Sequence, residues 1–204
     1  MITIVDYGLG NIRAFLNVYK RLNIEARAVT AADDLDGATK VILPGVGHFD
    51  HAMERLDSSG MREQLDTLVL EQKVPVLGIC VGMQMLARTS DEGSRDGLGW
   101  IAGRVRAFRS REASVALPMP HMGWNDVLPV TPHPLFAQLT TDSRFYFLHS
   151  YFFETESDRD VLAVANYGAD FACAIHHDNI YGVQFHPEKS HHFGTRLLQN
   201  FAEL

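Results

Sequence analysis

Apolar residues follow two regimes along this chain. In the first half, short apolar runs are separated by segments whose apolar residues return every three or four positions. Residues 2–6 read as a strand, and Tyr7-Gly8-Leu9-Gly10-Asn11 reads as a tight turn. Ile12, Phe15, Leu16 and Tyr19 then recur at helical spacing. Ala26–Val29 and residues 40–43 are further strands, and helical patterns follow over 49–56 and 60–70. Residues 74–79 are a wholly apolar strand, as in the centre of a parallel sheet covered on both faces. This rhythm predicts an α/β fold, a doubly wound and mostly parallel sheet.

The second half changes character. Residues 100–108, 124–128, 145–149, 161–166, 171–175 and 180–185 are all strand-like, several joined by short turns such as Asp178-Asn179. They predict antiparallel strands that extend or flank the sheet. A helix over 192–201 is expected at the end, with Leu197, Leu198 and Phe201 facing inward. The 204 residues contain no internal repeat or linker-like stretch, and one domain over 1–204 is expected.

Composition narrows the function classes. A formal net charge of −7 argues against nucleic acid as a main partner. The first residues lack the pattern of a signal peptide, and no apolar run approaches the ~20 residues of a membrane span. With two cysteines, Cys80 and Cys173, a reducing and cytoplasmic location is expected. The dinucleotide fingerprint and the P-loop are missing, and the ten histidines show no metal-binding spacing, so neither cofactor nor metal is expected.

Three strand ends carry the candidate chemistry. Gly78-Ile79-Cys80-Val81-Gly82 is the cysteine form of the G-x-S-x-G elbow, in which glycines let the chain turn sharply and expose the nucleophile. A helix over 81–88 is expected to point its N-terminus at the sulfur and favour thiolate. A lone cysteine is often just a small buried hydrophobe, the reading that suits Cys173. His186-Pro187-Glu188 follows another strand. Pro187 holds His186 extended, so Glu188 at i+2 lies on the same side and can orient the imidazole as a base. Pro44-Gly45-Val46-Gly47 ends a third strand and can present N–H groups to an oxyanion, with the Val81 N–H opposite.

Taken together, these runs, with Met83-Gln84 and Gly182-Val183-Gln184-Phe185 beside them, resemble the class I (triad) glutamine amidotransferases over essentially the whole chain. The resemblance implies their flavodoxin-like fold with added antiparallel strands. It implies that Cys80 attacks the side-chain amide of L-glutamine, that His186 serves as base and then acid, and that Glu188 orients it. It implies an oxyanion hole from Val46, Gly47 and Val81, and substrate binding by Gln84, Glu92, Ser150 and Tyr151.

Length, Asp6-Tyr7-Gly8-Leu9-Gly10-Asn11, Pro120-His121-Met122-Gly123-Trp124-Asn125 and Phe147-Leu148-His149-Ser150-Tyr151 are similar to the free-standing glutaminases of that family. Those pass ammonia to a (β/α)8-barrel cyclase partner in a heterodimer that makes imidazole glycerol phosphate for histidine. Asn11, Trp124 and Lys189 match positions of that interface. Two departures stand out. Val81 replaces the usual leucine. The stretches Tyr151-Phe152-Phe153 and Lys189-Ser190-His191-His192-Phe193-Gly194 look like paralogues that feed ammonia toward an amidated sugar of surface polysaccharide. The acceptor of ammonia therefore stays open, and a non-catalytic interaction subunit is the alternative of another class.

Overall fold

In the computed structural model, residues 1–114, 116–140 and 142–204 are described. The first half is built from β1 (Ile2–Val5), α1 (Ile12–Arg21), β2 (Ala26–Val29), β3 (Val41–Gly45), α2 (Phe49–Ser58), α3 (Arg62–Asp66), β4 (Val76–Cys80) and α4 (Val81–Gln84). The second half adds β5 (Thr89–Ser90), β6 (Gly103–Ala107), β7 (His121–Asp126), β8 (Leu128–Pro129), β9 (Arg144–His149), β10 (Tyr151–Thr155), β11 (Val161–Tyr167), β12 (Ala169–His177), β13 (Ile180–Val183) and α5 (His191–Glu203).

The main sheet runs β2-β1-β3-β4-β13-β12-β10-β6-β5. Its β2, β1, β3, β4 and β13 are parallel, and β13 then pairs antiparallel with β12. The central β4 is buried along its whole length, as its apolar run predicts. Outside the main sheet, β7 and β9 form an antiparallel ribbon. The added antiparallel strands thus both extend the sheet and flank it.

The helices form for local reasons that the sequence carries. Asn11 Oδ1 accepts the Ala14 N–H at 3.3 Å, and Lys20 and Arg21 sit where the α1 dipole is negative. Phe15, Val18 and Tyr19 are its buried face. α5 buries Leu197, Leu198 and Phe201, and Tyr19 Oη donates to Leu198 O at 3.2 Å, tying the two helices together.

Three expectations need correction, and one strand lies outside them. The helix expected over 81–88 is a single turn, Val81–Gln84. Beyond it the carbonyls of Met85, Leu86, Ala87 and Arg88 accept N–H groups from Leu98, Ile101, Gly99 and Gly97 instead of continuing the helix. Of the strand expected over 100–108, only Gly103–Ala107 is extended. Residues 60–70 are α3 followed by a π turn, Thr67–Glu71. Finally, β10 has no counterpart in the sequence pattern: its burial follows no alternation, so the period-two signal is absent.

Register explains how distant residues meet. Gly45 at the end of β3 pairs with Cys80 at the end of β4, and Val183 at the end of β13 pairs with Ile79. Three parallel strands therefore deliver the Gly45-Val46-Gly47 segment, Cys80 and the chain leading to His186 to one edge. This is the carboxyl edge of the sheet, where open α/β folds place ligands.

Candidate functional site

Cys80 adopts φ 55° and ψ −112°, a left-handed conformation that costs a non-glycine residue energy. The turn is tight because its neighbours approach closely. A Cβ on Gly82 would collide with Leu43 O, and one on Gly45 would collide with the Gly82 backbone. Glycine at both positions lets β3 lie against the elbow. Tyr7 completes this packing. Its hydroxyl donates to Pro44 O at 2.7 Å and contacts Met85 Sδ at 3.4 Å. Burial, and then the charge of Cys80, push that phenol well above its ordinary range.

The elbow opens into a cleft of about 310 Å³. Val46, Gly47, Cys80, Val81 and Gln84 are among the residues that line it. Glu92, Ser150, Tyr151, His186 and Lys189 line it as well. Ten of the residues singled out in the sequence thus face one cavity. Lys189, expected at a partner surface, is also a cleft residue. Pro120, Leu148 and His149 belong to the lining too. They lay inside runs already quoted, but no spacing rule marked them.

His186 and Glu188 form a buried pair. Nδ1 of His186 stands 2.9 Å from Glu188 Oε1, and both side chains are almost fully covered. The backbone at His186 is extended, as Pro187 requires, whereas Pro187–Lys189 is a short 3-10 turn. Ser190 holds this turn: its hydroxyl donates to His186 O at 2.6 Å and accepts the Tyr146 N–H at 2.9 Å. Burial alone would pull the His186 imidazole down. Hydrogen bonding to Cys80 and Glu188, and their negative charges, outweigh that and push it up to about 10.

Around the sulfur, Cys80 Sγ lies 3.9 Å from Leu148 O, and the Gln184 amide donates to it at 3.8 Å. Gln84 Nε2 donates to Tyr151 O at 3.2 Å and to Gln184 Oε1 at 3.0 Å. Glu92 Oε2 accepts the Phe49 N–H at 2.8 Å, so the first turn of α2 holds the carboxylate in place. Burial, with the charges of Glu92 and Asp91, raises the Tyr151 phenol. Gln184 is a site residue that motif reading passed over. It lay within the run before His186, but as a strand residue with no assigned chemistry.

Asn11 and Trp124 do not line the cleft. Asn11 caps α1. Trp124, 42% exposed, stacks on His191 with centroids 5.1 Å apart. Cys173 is fully buried, and burial raises its thiol. No described helix is long and apolar enough to cross a membrane.

Chemically, the cleft offers a thiol beside a proton carrier held by a carboxylate, with backbone N–H groups at two strand ends. That set suits acyl transfer from an amide or ester.

Comparisons with known proteins agree. The family model described as "Glutamine amidotransferase class-I" matches residues 3–204. The imidazole glycerol phosphate synthase subunit HisH of Bdellovibrio bacteriovorus is 63% identical over the whole of both chains. The protein of the same name from Leptospira borgpetersenii is 52% identical, again over the whole of both. Among solved structures, a glutamine amidotransferase superposes with a TM-score of 0.75 at 20% identity, covering 99% of this chain and 97% of that one. The sheet order and its antiparallel extension are thus those of this fold. The chain belongs to the class-I glutamine amidotransferase family, alongside the HisH subunits.

Proposed function

We propose that this chain is the glutaminase subunit of an imidazole glycerol phosphate synthase. The observation that carries the reading is Cys80, on its strained elbow, sharing one cleft with the His186–Glu188 pair in a chain 63% identical to a HisH subunit.

In this reading His186 takes the thiol proton of Cys80, and the sulfur attacks the side-chain carbonyl carbon of L-glutamine. The oxyanion forms against N–H groups at Val46, Gly47 and Val81. His186 returns the proton to the departing nitrogen, ammonia leaves, and a glutamyl thioester remains. Water then loses a proton to His186, adds to the thioester and expels the thiolate, giving glutamate. The high proton affinity of His186 favours the first step, and Glu188 holds its ring so that Nε2 faces the sulfur. Glu92, Ser150 and Tyr151, with Gln84, bind the α-amino and carboxylate end of the substrate.

Ammonia then passes to a (β/α)8-barrel cyclase in a cytoplasmic heterodimer. Val46 and Leu148, both in the cleft lining, are exposed at 38% and 37%, and Met122 and Trp124 are exposed apolar side chains of β7. They supply an apolar rim to the partner surface, with Asn11 and Lys189 as its polar contacts.

The test is glutamate release by the chain with and without the cyclase and its bound ligand. The reading predicts strong activation, and equal rates would overturn the coupling. Rescue of a histidine auxotroph lacking this subunit tests the acceptor. Failure by a folded, expressed protein would point to the sugar pathway.

A further inference from the structure

The Tyr151 carbonyl fixes the direction of every hydrogen bond in a chain that ends on the nucleophile. A carbonyl oxygen only accepts. Both groups that reach it, His149 Nδ1 at 2.7 Å and Gln84 Nε2 at 3.2 Å, must therefore donate. Outward from His149 the logic is forced. Its ring is neutral, since burial pulls it down to about 3, so Nε2 is an acceptor. It takes the N–H of His121 Nδ1 at 2.9 Å. His121, pulled down by burial to about 4, then accepts at Nε2 from Asn125 Nδ2 at 3.2 Å.

Toward the elbow the logic is equally forced. With its amide nitrogen on Tyr151 O, Gln84 gives its second N–H to Gln184 Oε1 at 3.0 Å. Gln184, with no exposed surface, can then present only its own N–H groups to Cys80 Sγ, at 3.8 Å. Reversing any one amide would set donor against donor or acceptor against acceptor along the chain.

We propose that Gln184 is a positioning residue for Cys80, aimed by the Tyr151 carbonyl, and that Gln84, His149 and His121 position it in turn. The sulfur lies between two opposed influences. Leu148 O, at 3.9 Å, suits a thiol S–H. The Gln184 N–H suits the thiolate, because a donor stabilises the charged form. The chain keeps that donor in place. It also leaves Gln84 Oε1, on a residue that lines the cleft, unused by these bonds as an acceptor for an N–H of the substrate. Asn125, His121 and His149 lie on the β7–β9 ribbon, so the position of that ribbon is read at the sulfur.

This inference rests on Cys80 being the nucleophile, but its test does not need turnover. The full chain is alkylated with iodoacetamide over a range of pH, and the Cys80 peptide is quantified by mass spectrometry. Gln184→Met keeps length and removes the donor. It is expected to move the alkylation midpoint up by about one pH unit, roughly a tenfold loss of rate on the acid side. His149→Leu is expected to give a shift in the same direction. His149→Asn, whose amide N–H stands where Nδ1–H stands, is expected to restore most of the wild-type profile. A role in filling space alone would penalise the buried asparagine at least as much as leucine. A wild-type profile in both Gln184→Met and His149→Leu, or an asparagine variant no better than leucine, would overturn the proposal. If Gln184→Met does not fold, the two His149 variants decide it. A shifted profile in a chain that never releases glutamate would instead uphold the positioning and remove the glutaminase reading.

Discussion

His186 Nδ1 meets Glu188 Oε1 at 2.9 Å, with both side chains buried, and this contact occupies Nδ1 and leaves Nε2 as the other nitrogen of a ring that lines the cleft. The proton on the ring is held firmly: the folded value is about 10 against an ordinary 6.5. For a group raised in this way, the stabilisation is fully present below pH 6.5 and is lost as pH rises through about 10. Glutamate release is expected to keep its acid through neutral pH and to fall on an alkaline limb near 10. Glu188→Gln removes the carboxylate charge, so the limb should move to lower pH and kcat should fall roughly 10- to 100-fold. A pH–rate profile of both proteins checks this.

Two other histidines act in the opposite sense. His121 and His149 are buried neutral, at about 4 and about 3. As pH falls below 6.5 the unfolded chain gains protons that the folded chain refuses, so stability drops until those low values are reached. Each group contributes a slope of up to about 1.4 kcal/mol per pH unit. Unfolding temperatures between pH 6.5 and 4 are expected to fall less steeply in His121→Asn than in the wild type.

Gly194, in the first turn of α5, lies under the Pro187 carbonyl. A Cβ there would collide with backbone atoms of Pro187, which cannot move aside as a flexible side chain can. Gly194→Ala is expected to cost about 1–3 kcal/mol and to displace the His186-Pro187-Glu188 turn. Denaturant unfolding and glutamate release should both report the loss, with activity falling more than stability alone explains.

Glu92 is held by the Phe49 N–H and faces the cleft. Glu92→Gln keeps a carbonyl for that N–H but removes the charge that, in the proposed function, meets the substrate's ammonium group. KM for glutamine is expected to rise about tenfold with kcat changed much less, the pattern of lost ground-state binding. An unchanged KM would remove Glu92 from the substrate site.

The sequence made the strand ends legible because each carries a local signal. Glycines flank Cys80, Pro187 fixes His186, and Pro44 opens the segment that ends β3. Parallel order followed from the alternation of apolar runs and amphipathic segments in the first half. The remainder depends on register between distant segments. Gln184 meets Gln84 and Cys80 only because β13 lies beside β4. His149 meets His121 only because β7 pairs with β9. The expected helix after Cys80 stops after one turn because the segment from Gly97 to Ile101 takes its carbonyls. Such competition between distant backbones leaves no trace in a local window. Resemblance places Lys189 on a partner surface and the structure places it in the cleft lining, a location that its position in sequence does not reveal.

The central claim is that Cys80 supplies ammonia to a neighbouring active site, and the most direct measurement compares two nitrogen sources. Cys80→Ala is assembled with the cyclase, and product formation is followed with glutamine or with added ammonia. The account predicts loss of at least about a thousandfold with glutamine and near wild-type synthesis with ammonia. Retained glutamine-dependent synthesis, or loss of both activities in a folded complex, would contradict it.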